Sequence, residues 1–268
     1  MKKAWIGVVV AGILGLAGVP ARGQAPTMGG STAGAAVAPG GSSNVSRTTK
    51  AVNYRRAGGS TKIEFHGTEL MPQAAGEAKV ESKSNRIEIE AKFEGLEEAT
   101  KFGLEYLTYV LWAISPGGRA VNLGEVALKN GSGHVKAITD LQTFGMVVTA
   151  EPYFAVTQPG NVVVLENVFG AGTTGKVENI DAKYELLGRG SYSSSNTKIE
   201  SAIFGIDRKT PLELFEARNA VRIAHIAQAD KYAASMVAKA EQQLKSAEDT
   251  YRNGRDRKAV EAAAREVA

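Results

Sequence analysis

Arg86-Ile87-Glu88-Ile89-Glu90-Ala91-Lys92-Phe93 is the stretch that decides the fold. Every second residue is apolar and every intervening one is charged. That period of two places Ile87, Ile89, Ala91 and Phe93 on one side of an extended strand and the charges on the other. A helix would scatter the same residues around its axis. The stretch therefore predicts a strand with one face on a core and one in water.

Working outward, the same alternation recurs at Ile63 and Phe65, set between Lys62, Glu64 and His66. Residues 104–114 are rich in aromatic and β-branched side chains and read as a central strand buried on one or both faces. Further strands are expected at 121–128, 133–138, 144–150, 161–166 and 182–187. Turn residues separate them: Ser84-Asn85, Pro116-Gly117-Gly118, Asn130-Gly131 and Pro159-Gly160-Asn161. Asn-Gly is the strongest of these signals, because a tight hairpin turn needs positive φ at both central positions. Many short strands at this spacing, with no helical period between them, predict an all-β sandwich or barrel over 61–206.

The N-terminus reads as an address. Lys2 and Lys3 precede an uncharged run from Ala4 to Val19, and Ala21-Arg22-Gly23 supplies small residues for cleavage before Gln24. The run has 16 residues, four of them glycine, whereas crossing a bilayer takes ~20. Residues 1–23 are accordingly expected to be a cleaved signal peptide that sends the chain to the periplasm or outer membrane. Residues 24–60, poor in large apolar side chains, are expected to form a disordered Gly/Ser/Ala/Pro-rich tether.

Charge and composition exclude several function classes. Three of the 32 basic residues, Lys2, Lys3 and Arg22, lie in the leader, leaving 29 against 28 acidic. That balance carries no basic patch for nucleic acid. With no cysteine, disulfide frameworks, thiolate metal sites and a cysteine nucleophile are ruled out. Gly170-Ala171-Gly172-Thr173-Thr174-Gly175 matches a dinucleotide fingerprint literally. Residues 177–187, directly after it, read as strand and not as the helix whose amides would meet a phosphate, so no nucleotide or other cofactor is expected. His66, His134 and His225 lie far apart, without metal-ligand spacing, so no metal is expected. Glu88 and Glu90 share a solvated strand face, and the serine run 191–195 has no nearby base. No catalytic set emerges, and the chain reads as non-enzymatic. Trp112, Tyr106 and Tyr109 read as core, with an aromatic ligand platform the alternative reading.

From Thr210-Pro211-Leu212-Glu213, which has the form of a capping box, no proline or glycine occurs before Asn253-Gly254. A single helix of this span would reach ~60 Å at ~1.5 Å per residue. Ala233, Val237, Ala240, Leu244, Ala247 and Tyr251 recur at spacings of four and three, a seam suited to self-association or to a partner helix. Residues 256–268 form a second helix able to fold back. The tail, 207–268, is thus expected to be a long α-helical hairpin or coiled coil.

Two family resemblances accompany these readings. Residues 109–119, from Tyr109 through Trp112 to Arg119, lead into Val121-Asn122-Leu123-Gly124-Glu125 and later into 147–152 and Pro159-Gly160. This resembles the extracytoplasmic C-terminal domain of anti-sigma-K factors, which implies an Ig-like β-sandwich. That family's zinc-type domain and membrane helix have no counterpart here, so the resemblance implies fold and not sigma-factor control. Ala217, Ala220, Ala224, Ala229, Tyr232-Ala233, Ala240, Leu244 and Ala247-Glu248 are similar to the Ala-rich helices beside OmpA-like modules. The order of leader, sandwich and Ala-rich helices resembles OmpA-family envelope proteins. It implies a structural or interaction role in the envelope, with the tail either a lead-in to a peptidoglycan-binding module beyond the sequence given or the interaction element of a protein without that wall anchor. The alternative is a glycan- or peptide-binding module using sandwich loops, with Pro116, Gly117, Gly118 and Arg119 the first candidates.

Overall fold

The computed structural model describes residues 45–56, 59–83, 86–170, 173, 180–188, 210–254 and 256–268. The expected leader, the serine run 191–195, the turn expected at Ser84-Asn85 and most of the 170–175 fingerprint lie outside them. So does most of the proposed tether.

Eleven strands occur among the described residues: β1 (Val45–Asn53), β2 (Ser60–Gly67), β3 (Ala75–Lys83), β4 (Arg86–Glu94), β5 (Thr108–Ile114), β6 (Ala120–Glu125), β7 (Ala127–Lys129), β8 (Ser132–Thr139), β9 (Thr143–Glu151), β10 (Val163–Val168) and β11 (Ile180–Leu186). The protein is mostly β-sheet with a helical C-terminal region. β1 falls inside 24–60, the segment whose composition reads as tether. Its buried residues are the small Thr49 and Ala51, with Val52, which is why the alternation is faint. β2, β3, β4 and β8 form an antiparallel meander, and Asn130 (φ 52°) with Gly131 (φ 78°) makes the tight turn between β7 and β8.

The sheet curls until it nearly closes. β6 pairs with β5, and β7 pairs with β8. Only Val126 separates β6 from β7, and its N–H donates to the Tyr109 carbonyl at 2.8 Å. One stretch of chain thus passes from one side of the ring to the other. β9 and β10 complete the ring between β5 and β2.

Two cores follow from this curl. Inside lie Ile63, Phe65, Ile87, Ile89, Phe93, Tyr109, Leu111, Phe144, Met146 and Val148. Phe65 and Phe93 meet edge to face, centroids 5.2 Å apart. Outside β5 and β9, a ribbon of β1 and β11 covers a second core of Val110, Trp112, Ile114, Val147, Val163, Ala182, Tyr184 and Leu186. All seven residues of β5 are buried for this reason. Each large side chain so buried contributes ~1.5–3 kcal/mol.

Where β10 leaves β9 for β2, the ladder opens and Asn167 fills the gap. Its Oδ1 accepts from the Met146 N–H at 2.5 Å and from Thr49 Oγ1 at 3.2 Å. Its Nδ2 donates to the Lys50 carbonyl at 3.1 Å. One side chain joins β1, β9 and β10.

The helical tail departs from the single long helix of the sequence reading. It consists of α1 (Leu212–Ile226), α2 (Ala229–Tyr232), α3 (Ala234–Arg252) and α4 (Arg257–Arg265). Gln228 adopts a left-handed conformation, φ 58°, and Ala233 leaves the helical region at φ −144°, ψ 40°. Neither break carries glycine or proline. His225 spans the first, with Nδ1 2.9 Å from Asp230 and Nε2 3.0 Å from Glu241. Thr210 does not cap α1; its hydroxyl lies 2.9 Å from the Tyr251 hydroxyl.

α1, α3 and α4 pack around Leu214, Ala217, Val221, Ala247, Val260, Ala264 and Val267. The proposed seam is absorbed here. Ala240, Leu244, Ala247 and Tyr251 all pack within this bundle. Val237 is buried as well, and Ala233 forms the joint before α3. Most of the seam therefore faces this bundle, with Ala240, Leu244 and Tyr251 half-buried. Replacing the half-buried Leu244 by Asp should destabilise the bundle by ~2 kcal/mol, through lost packing and a carboxylate placed against the apolar face. The expected result is weaker helical circular dichroism with unchanged molecular mass; a fall in mass would mean the seam joins copies.

Candidate functional site

The β5–β6 connection carries the predicted loop, and the structure gives it a fixed seat. Ser115 organises the turn: its carbonyl accepts from the Gly118 N–H, its N–H donates to the Arg119 carbonyl, and its Oγ accepts from the Arg119 N–H. Gly118 has φ +83°, and a Cβ there would stand 2.3 Å from the Lys183 carbonyl oxygen. Only glycine lets the turn press against the β11 backbone.

A second wall comes from the segment after β9. Glu151, at the end of β9, is fully buried. Its Oε1 accepts from Thr149 Oγ1 at 2.5 Å and from the Gly160 N–H at 2.7 Å, while Trp112 Nε1 donates to Thr149 Oγ1 at 2.8 Å. Burial pushes the Glu151 carboxyl up to about 8, against the pull of those two donors. The Asn122 amide holds the same segment by donating to the Phe154 and Val156 carbonyls, each at 2.8 Å. Beyond it, the Leu187 N–H donates to the Pro159 carbonyl and the Asn161 N–H to the Leu187 carbonyl.

Between these walls lies an open groove of about 550 Å³, lined by Ser46, Gly117, Gly118, Ala120, Thr157, Gln158, Pro159, Lys183, Tyr184 and Glu185. Four distant segments build it. Hydroxyls, an amide and charges of both signs line it, as polar ligand sites require. Pro116 and Arg119 complete the turn without lining the groove.

Two other depressions lie on the outer barrel face. One, about 370 Å³, includes Lys62, Glu64, His66, Glu77 and Lys92. The other, about 670 Å³, includes Lys79, Glu88, Glu90, Lys136 and Ile138. Though one is larger, both are floored by the regular sheet, and many of their charges are already paired. Glu88 is held by Lys83 and Arg86, which lower its proton affinity, and Glu90 lies 3.2 Å from Lys136. His66, His134 and His225 stand on β2, β8 and α1. No group of three metal-ligating side chains occurs among the described residues.

A buried acidic cluster joins helices to barrel. Glu216 of α1 is fully buried, and neither carboxyl oxygen meets a hydrogen-bond partner in good geometry among the described residues. Burial, and then the charge of Glu125, push its carboxyl well above the usual range. Arg265 of α4 donates to Glu125 at 2.5 Å and to Glu213 at 3.3 Å, and its guanidinium lies 4.7 Å from the Phe154 ring centroid. Asn219 fastens α1 by donating to the Glu105 and Pro152 carbonyls at 3.2 and 3.1 Å.

Sequence reasoning found the turn but missed both buried carboxyls. Faint signals existed: Glu151 continues the Val147, Thr149 alternation, and Glu216 and Asn219 lie three apart beside Leu214 and Ala217. No family model, curated protein or solved structure matches this protein, so its reading rests on its own residues.

Proposed function

We propose that this is an exported, non-catalytic protein of the bacterial cell envelope whose β-rich body serves as a binding module for glycan or peptide. The observation that carries the reading is the groove between the Pro116–Arg119 turn and the 157–160 segment, held open by Gly118 on one side and Glu151 on the other. Export rests on the layout of residues 1–23. The non-catalytic part rests on where the perturbed groups sit. Glu151 and Glu216, the carboxyls whose proton affinity suits acid–base chemistry, are both fully buried, and neither lines the groove. The Ig-like kinship and the OmpA-type envelope setting belong to the same proposal. Self-association through the tail has less support, because the seam residues pack against their own neighbours.

Enzymatically solubilised peptidoglycan fragments, titrated calorimetrically, test it. Binding is expected for the wild-type protein, with at least a tenfold loss in a Gln158→Ala, Lys183→Ala double variant that keeps its melting temperature. Absence of binding, or equal binding by the variant, would overturn the groove as the site.

A further inference from the structure

The edge of β11 shows what chemistry the groove can read. Residues along an antiparallel strand turn their N–H and C=O alternately toward and away from the partner. Leu187 turns both groups to Pro159 and Asn161, away from β1. The register of β1 on β11 runs without a bulge from Leu186 to Ile180. Leu187, Glu185 and Lys183 therefore share the outward direction, and Leu186 and Tyr184 bond to β1. The Lys183 carbonyl confirms this, since Gly118 presses on it from outside.

Of these three outward positions, Lys183 is covered by Gly118 and Leu187 is bonded to the 159–161 segment. Glu185 lies between them and faces the groove. Among the described residues none bonds to its outward backbone groups, and the reason is chemical. Continuing the parallel pairing of Gly160 with Leu187 by two residues would require residue 159 to donate an N–H to the Glu185 carbonyl. That residue is proline, which has no N–H, so the ladder stops and the two segments diverge. The same edge already holds one extended segment through the backbone carbonyl and N–H of Leu187, which shows the geometry it accepts.

We propose that the groove receives a secondary amide, the CO–NH unit of a peptide or of an N-acetyl group, which bonds to the backbone N–H and carbonyl of Glu185 with Lys183 and Gln158 beside it. The assignment rests on the binding-module reading above and names its ligand chemistry. Outward stations on a strand lie ~6.6 Å apart, so the free length between the two covered positions admits one amide unit and not a long added strand.

The test uses the full mature protein, 15N-labelled, with three probes: acetyl-trialanine amide, diacetylchitobiose, and cellobiose as the amide-free control. An amide-bearing probe is expected to shift the Glu185 amide resonance and slow its hydrogen exchange at least tenfold, while cellobiose does neither. A response to the peptide alone identifies a peptide source; a response to diacetylchitobiose alone identifies an N-acetylated glycan. Glu185→Pro deletes the outward N–H at an edge position where proline is tolerated, and Glu185→Gln keeps the backbone intact. Binding should fall at least tenfold in the first variant and persist in the second. If peptidoglycan fragments perturb Lys183 and Gln158 but every amide probe leaves Glu185 unmoved, this inference fails and the groove reading survives. If no groove residue responds to any of them, both fail.

Discussion

Raising the pH from 5 to 8 is expected to lower the unfolding free energy by several kcal/mol, and Glu151→Gln should remove much of that loss. The Glu151 carboxyl moves from the ordinary 4.5 to about 8 on folding. Below pH 4.5 both states hold the proton and the group adds no slope. Between 4.5 and about 8 the unfolded state has released a proton that the folded state keeps, so each pH unit costs ~1.4 kcal/mol. Above about 8 both states are ionised and the loss is complete. Glu216 acts in the same direction, since burial and its acidic neighbours also raise it. His225 is likewise raised by Asp230 and Glu241, so its contribution also fades as pH rises, but it is too exposed for that to weigh heavily. Urea titrations of wild type, Glu151→Gln, Glu216→Gln and the double variant at pH 5, 6.5 and 8 measure the slopes. A wild-type stability that is level or rising across this window would refute the account.

Asn167→Leu should cost about 4 kcal/mol. The substitution strands the Met146 N–H, the Lys50 carbonyl and the Thr49 hydroxyl in a place water does not reach easily, and each buried unpaired group costs ~1–3 kcal/mol. The damage should be local first. Amide exchange of β1 and β11 is expected to rise while β2, β3 and β4 stay protected. Asn167→Asp, which keeps the acceptor for Met146 but loses the donor to Lys50, should fall between the two. Uniform loss of protection across all strands would show that Asn167 is not the pin of this ribbon.

How much of this was legible in the sequence depended on whether the signal was local. The alternation of Ile87, Ile89, Ala91 and Phe93 names β4 unaided, and Asn130-Gly131 names the turn between β7 and β8. β3 was missed because Ala75, Gly76 and Ala78 carry little strand preference. The second core was hidden because burial on both faces of β5 erases its alternation. In the tail, the seam spacing was real but its partner was not readable: residues that could meet another copy meet α1 and α4 instead. The break at Gln228 is spanned by the His225 clamp, whose partner Glu241 lies in another helix. The groove shows the same divide. The Pro116–Arg119 turn announces itself, whereas the walls at 157–159 and 183–185 become neighbours only once the sheet has curled.

The handover at Val126 bears on which changes of length this protein tolerates. A strand at the margin of an open sheet can slide and sacrifice only its own ladder. Here a single run of residues is shared between two ladders on opposite sides, so sliding it to mend one tears the other. Each ladder acts as the other's proofreader. A one-residue insertion beside Val126 has nowhere to be absorbed, and it would turn Leu123 or Leu128 from the interior to water.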